Sequence, residues 1–415
     1  MESTISKQEL SNQKINNESV KKVISFLQKL KSSKIDNYSI LLPLIFRIKD
    51  VPVTMDDFFP FKVIFERRTP IKFILKTGRQ CGKTTTLALL TILRAATINN
   101  LHILVVYPLH ESVCRFSKIY VYDLLKRSPI LSSMQNRTTI NNVLQRELIN
   151  GSKIFFSYAF FDVVRTLGIS ADNLFFDEVQ DFDPTFIPII TETLSASKYG
   201  YIGYCGTARS YENTIEKLWS NSSMAEFIIP CSHCTTNGFK TWNIPSTEFH
   251  LIKMIGPYRD DISEERPGLV CYKCQKPLNP RLGNWVHKIF DRKYEFAGYH
   301  VPQVILPMHY ASPKKWHIIK QKQSCTGFYT ESKFYNEVLG ESYDSASGLV
   351  SYTDILRACS LHVNSFETAK LIRRNYIMVA MGIDWGGGGE AAANKDLSLT
   401  AISFAGMSPV GNVDV

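Results

Sequence analysis

TGRQCGKTT, residues 77–85, follows the apolar run IKFILK (71–76) and leads into the helical pattern TTTLALLTILRAAT (84–97). This order of strand, small-residue loop and helix decides the fold. In a phosphate-binding loop, successive backbone N–H groups and the helix N-terminus wrap the phosphates of a nucleotide, so the chain needs small residues and tight turns there. The expected loop comprises Thr77, Gly78, Arg79, Gln80, Cys81, Gly82, Lys83, Thr84 and Thr85. Gly82 permits close approach of the backbone, Lys83 bridges the β and γ phosphates, and Thr84 places its hydroxyl on Mg²⁺. The usual pattern has glycine where this chain has Thr77, with Gly78 one position later.

Outward from the loop, HILVVY (102–107), KIFFSY (153–158), NLFFDE (173–178) and YIGYCG (201–206) are short apolar runs bounded by polar or turn residues, with a helical pattern at about 111–126. Near-continuous apolar strands alternating with helices predict an α/β fold with a parallel sheet covered on both faces. In NLFFDEVQD, Asp177 ends a strand where it can hold Mg²⁺, and Glu178 can orient and deprotonate an attacking water. Carboxyl ends of the strands are where open α/β sheets collect their sites. The interval from Lys83 to Asp177 leaves room for one or two strand–helix units, as the additional-strand class of phosphate-loop ATPases requires. The next run, YIGYCGTAR, ends in Gly206, Thr207 and Ala208, placed to sense the γ phosphate and couple its loss to motion.

Two C-x-x-C knuckles, Cys231/Cys234 and Cys271/Cys274, flank residues 235–270. Four thiolates complete the closed tetrahedral coordination of a structural Zn²⁺, with His233 a bystander. The nine cysteines thus point to metal binding and a reducing compartment rather than to disulfides. An excess of 48 Lys+Arg over 38 Asp+Glu, net +10, favours nucleic acid as a partner. The start of the chain carries no signal-peptide pattern and no apolar run approaches the ~18 residues of a span, so a cytoplasmic protein without membrane contact is expected.

TGRQCGKT, LFFDE and GTAR, in this order, resemble the ATPase half of the large terminase subunit of tailed phages. The similarity continues through the cysteine pairs, GYHVPQVILP and FYNEVLGESYD to GIDWG, in the manner of lambda-like terminases with a zinc-ribbon insertion, and covers roughly residues 70–405. The resemblance implies ATP hydrolysis that drives double-stranded DNA into a procapsid, with the capsid portal protein and the terminase small subunit as partners and a homo-oligomeric ring on the portal. It matches Arg79 and Gln80 to a family Arg-Gln pair, and implies that Arg79 is an arginine acting in cis near the γ phosphate. In MVAMGIDWGGGG it implies the first strand of an RNase H-like nuclease, with Asp384, and more weakly Asp396, as ligands of Mg²⁺ or Mn²⁺. Few residues follow Asp384, so a nuclease stub unable to cut DNA is expected.

The expected organisation is a polar arm (1–60), an ATPase core (61–230), a zinc-ribbon-like insertion (231–280), a helical and strand continuation (281–340), a linker (341–375) and the first nuclease strands (376–415). Two other functions fit parts of this pattern. DEVQD also resembles a helicase acidic box, although no second motor lobe follows; a non-enzymatic zinc-bearing DNA-binding scaffold would not need Lys83, Thr84, Asp177 and Glu178 together.

Overall fold

The computed structural model describes Ser25 and residues 36–66, 68–135, 142–160, 162–236, 238–344, 370–384, 401–409 and 413–414. The sequence also carries an amphipathic helical pattern near 20–30, which lies outside the described residues apart from Ser25, and a helical pattern near 352–359, which lies wholly outside them. The chain divides into two units, Met1–Asp344 and Ser345–Val415.

The first unit is built on a 10-stranded sheet. Its strands are β1 (Lys72–Thr77), β2 (His102–Tyr107), β3 (Gln145–Glu147), β4 (Lys153–Tyr158), β5 (Asn173–Phe176), β6 (Tyr201–Thr207), β7 (Ala225–Thr236), β8 (Phe239–Asn243), β9 (Asn284–His287) and β10 (Phe296–Val301). They lie in the order β8-β7-β10-β1-β6-β5-β2-β4-β3, with β9 also paired to β7. The central pairs from β10 to β4 are parallel, and the outer pairs β3–β4, β7–β8 and β7–β9 are antiparallel.

Side chains alternate across a strand, and the two cores follow that alternation. Phe73, Leu75, Ile103, Val105, Phe175 and Cys205 belong to one buried cluster. Ile74, Leu104, Val106, Leu174, Phe176 and Tyr204 belong to the other, on the opposite face. Burial on both faces is why these runs are apolar throughout rather than alternating with polar residues. Helix α1 (Lys83–Thr97) buries Leu87, Leu90 and Leu93 in the first cluster, and α2 (Thr214–Asn221) sets Ile215 and Trp219 into the second.

Two features differ from the sequence expectation. The polar arm is shorter than 1–60, because Leu41, Leu42, Ile45, Phe46, Val53 and Met55 are buried in the core. Two 3₁₀ segments, a four-residue α-helical turn (Leu42–Ile45) and the prolines Pro43 and Pro60 carry this stretch, which is too short in each piece to show helical periodicity. The region 231–280 is also not separate from the core, since β7 runs from the sheet straight into the first knuckle. β10, within the continuation expected over 281–340, joins the sheet beside β1, pairing Val301 with Thr77 across more than two hundred residues.

In the second unit, β11 (Met378–Asp384), β12 (Ala401–Met407) and β13 (Val413–Asp414) form an antiparallel three-stranded sheet. Asp384 pairs with Ala401 at its end. Asp396 lies outside the described residues.

Candidate active site

The strand order places β6 between the loop-bearing β1 and the acid-bearing β5. Their carboxyl ends converge, and this brings together residues far apart in sequence. Lys83 Nζ lies 3.0 Å from Glu178 Oε1 and 3.5 Å from Thr207 Oγ1. The Thr84 hydroxyl donates to Asp177 Oδ2 at 2.8 Å. Loop, acids and the end of β6 thus come together at Lys83, Thr84, Asp177, Glu178 and Thr207.

The loop is shaped by two glycines. Gly82 has φ +85°, and a Cβ there would meet the Phe58 ring at 2.2 Å. A Cβ on Gly78 would stand 2.7 Å from the carbonyl oxygen of Glu337. Gln80 and Glu178 hold left-handed backbone, φ 56° and 55°, without being glycine, a strain that concentrates at functional sites. Cys81 is buried, its thiol pushed up to about 12 by that burial.

The charges are matched although the site is buried. Burial opposes the ammonium of Lys83, but Asp177 and Glu178 outweigh it and hold the amine above its usual value. Asp177 is fully buried, which raises its carboxyl despite Lys83 beside it. Burial also opposes ionisation of Glu178, yet Lys83, Gln180 and Arg209 together hold it below the ordinary carboxylate range. Two adjacent carboxyl groups are thus driven in opposite directions, a pattern that marks groups with different tasks. Glu178 is ionised at neutral pH and can accept a proton.

Other contacts were not legible in the sequence. Tyr107, at the end of β2, donates its hydroxyl to Asp177 Oδ2 at 2.7 Å. Gln180 donates to Glu178 Oε2 at 2.7 Å, while its own oxygen accepts from the backbone N–H of Thr207 at 3.1 Å. The amide therefore joins the acidic strand to the end of β6, where Gly206 accepts from the Thr77 hydroxyl at 3.4 Å. Ala208 is buried behind it, and Arg209 pairs with Asp181 at 2.9 Å. Arg79 is two-thirds exposed and paired with Glu337 at 3.0 Å, and the Arg79 N–H donates to the Glu337 carbonyl. Gln303 donates to the Arg79 carbonyl at 2.6 Å. The only sign of these partners in the sequence was polarity at the end of a strand (Tyr107) and after the acids (Gln180).

Tyr107→Phe removes a hydrogen bond that favours the ionised form of Asp177. The carboxyl then rises further, so the acid limb of a pH–rate profile for ATP hydrolysis is expected to move to higher pH. Full activity returns on the alkaline side of that limb. An unmoved limb would separate Tyr107 from the titration of Asp177.

The cysteines form a second cluster. Sγ of Cys231 lies 3.7 Å from that of Cys274, and Sγ of Cys234 lies 3.7 Å from that of Cys271. All four sulfurs fall within 4.8 Å of one another. A tetrahedral ion with bonds of about 2.3 Å to sulfur requires sulfurs about 3.8 Å apart, so the donor set and its spacing fit zinc. The Thr241 hydroxyl beside Cys234 holds that thiol down at about 7. His233 is exposed and outside the cluster.

A phosphate loop, paired acids on the second strand over and an inserted strand between them define a P-loop ATPase. The description "Phage terminase large subunit gpA, ATPase domain" matches residues 61–285, more than half of the chain, and the chain belongs to that family. No curated protein sequence matches it. Among solved structures, the ATPase domain of the Thermus phage P74-26 large terminase is 12% identical, covering 66% of this chain and 90% of that one at a TM-score of 0.37. The large terminase of bacteriophage HK97 is 15% identical, covering 91% of this chain and 66% of that one at a TM-score of 0.48. The large terminase of a thermophilic bacteriophage, in complex with ADP, is 11% identical, covering 68% of this chain and 52% of that one at a TM-score of 0.36. Among the described residues no helix is long and apolar enough to cross a membrane.

Proposed function

We propose that this ATPase is the motor that translocates double-stranded viral DNA into a procapsid, working on a capsid portal with a small terminase subunit. The observation that carries the reading is the meeting of Lys83 and Thr84 with Glu178 and Asp177 in a member of the terminase ATPase family. Thr84 and Asp177 would hold Mg²⁺, which supplies neutralisation of the phosphate charge. Lys83 leaves Glu178 for the β and γ phosphates, and the freed carboxylate takes a proton from the attacking water. Gln180 then carries the change at Glu178 to Thr207 and the end of β6. Arg79, on the outer arc of the loop, exchanges Glu337 for the γ phosphate. The test is the rate of ATP hydrolysis with and without linear double-stranded DNA. Stimulation by DNA is expected, and a rate indifferent to DNA, in the presence of portal, would overturn the translocation reading.

The four cysteines hold one structural Zn²⁺; their 3.7 Å sulfur spacings support this. Asp384, at the end of the β11–β12 pair, serves as a divalent-metal ligand of the nuclease that accompanies the motor, and Asp396 is a second candidate for that role.

A further inference from the structure

The cysteine cluster leaves one part of its surroundings unexplained. β7 and β8 form a hairpin beside it, with Phe239 opposite Thr236 and Lys240 opposite Thr235. Thr241 turns inward to Cys234 at 3.4 Å, so the metal site anchors the hairpin. Its neighbours face solvent: Phe239 is 75% exposed and Trp242 47% exposed. The Lys273 ammonium reaches over from the second knuckle to the Thr235 carbonyl at 2.9 Å and the Thr236 hydroxyl at 3.1 Å. Lys276 ends the same knuckle, and Lys253, whose carbonyl accepts from Gln275, adjoins it.

None of these four lysines has a carboxylate partner among the described residues. Three of the module's acids are already neutralised. Asp261 pairs with Arg259 and Arg266, Glu264 with Arg281, and Glu248 with Lys288. The hairpin and the second knuckle thus carry ammonium groups without carboxylate partners, and two large rings on the same hairpin are open to water. Exposed lysines and exposed rings are each ordinary on a surface, and it is their combination on one hairpin, with Lys273 reaching onto it, that points to a ligand. Lysines that take phosphates, together with rings offering a face to any base, are the two parts of a single-strand binding surface. A duplex keeps its bases stacked inside and would use only the lysines.

We propose that this end of the cysteine module is a nucleic-acid contact that binds unpaired DNA, with bases stacked on Phe239 and Trp242 and phosphates held by Lys240, Lys253, Lys273 and Lys276. It goes beyond the motor reading and does not depend on it. The test uses the full zinc-loaded chain without nucleotide, and fluorescence anisotropy of a labelled single strand and of a blunt duplex of the same length. Phe239→Ala with Trp242→Ala should weaken the single strand about 10- to 100-fold and leave the duplex within about threefold. Lys240→Ala with Lys273→Ala should weaken both, and lower the salt dependence for the single strand by about 1.4 in log–log slope. Zinc content, oligomeric state and ATP hydrolysis are measured on the same samples, and Trp242→Ala alone repeats the comparison if the double variant loses metal. Single-strand affinity within about twofold of the unaltered chain in both variants overturns the proposal. So does an equal loss for the duplex in the aromatic variant, or a change from one oligomeric state to another, which would make the rings a contact between copies of the chain. Loss of ATP hydrolysis in the unaltered chain would instead count against the motor and leave this proposal standing.

Discussion

Glu178→Gln is expected to bind ATP about as tightly as the unaltered chain and to hydrolyse it about 10²- to 10⁴-fold more slowly, the usual contribution of a positioned proton acceptor. The amide keeps the size of the carboxylate but cannot accept the proton of water. It also cannot satisfy both present partners, because Lys83 and Gln180 each donate to a different carboxylate oxygen and an amide offers only one oxygen. The hydrogen bond from Gln180, and with it the connection to the N–H of Thr207, is the contact expected to give way. Nucleotide titration and phosphate release on the same protein separate the two effects.

A second large effect is expected at the cysteines. Cys271→Ser with Cys274→Ser should reduce zinc from one ion per chain to a trace, as metal analysis would show. Binding free energies of structural zinc are on the order of 10 kcal/mol, enough to order the loops of a module that holds one ion. Cys231 and Cys271 are buried in the core cluster with Leu269 and Leu278, so the module should become sensitive to protease when the metal is gone. Full zinc content in the double variant would contradict the assignment of the four thiols to one ion.

What could be read from the sequence was what is local. Strand β4 over Lys153–Tyr158 and β2 over His102–Tyr107 coincide with the apolar runs that announced them, because burial on both faces leaves little room for polar residues inside them; Ser157 in β4 is buried with its hydroxyl donating to the Arg165 carbonyl. Lys83, Thr84, Asp177 and Glu178 were legible because phosphate and metal chemistry demands those residue types beside a strand end. The cysteine pairs were legible because two knuckles declare themselves by spacing. Glu337 and Gln303 were not, since each reaches the loop from more than two hundred residues away and nothing local distinguishes a polar side chain that will arrive there. The packing of residues 37–65 was hidden for another reason. Its 3₁₀ turns impose neither of the two periodicities by which apolar positions are recognised. An additional strand was expected of the fold class, but that β6, which follows the acids in sequence, is the one between β1 and β5, with Thr77 beside Thr207, belongs to the sheet as a whole.

The central claim, that this one site hydrolyses ATP, is tested most directly by phosphate release from the purified chain with Mg²⁺ and ATP, measured beside Lys83→Ala and Glu178→Gln. The account predicts turnover by the unaltered chain, loss of nucleotide binding together with turnover in Lys83→Ala, and retained binding without turnover in Glu178→Gln. Hydrolysis undiminished in both variants would contradict it, because neither the phosphate-binding amine nor the carboxylate beside it would then take part in the reaction.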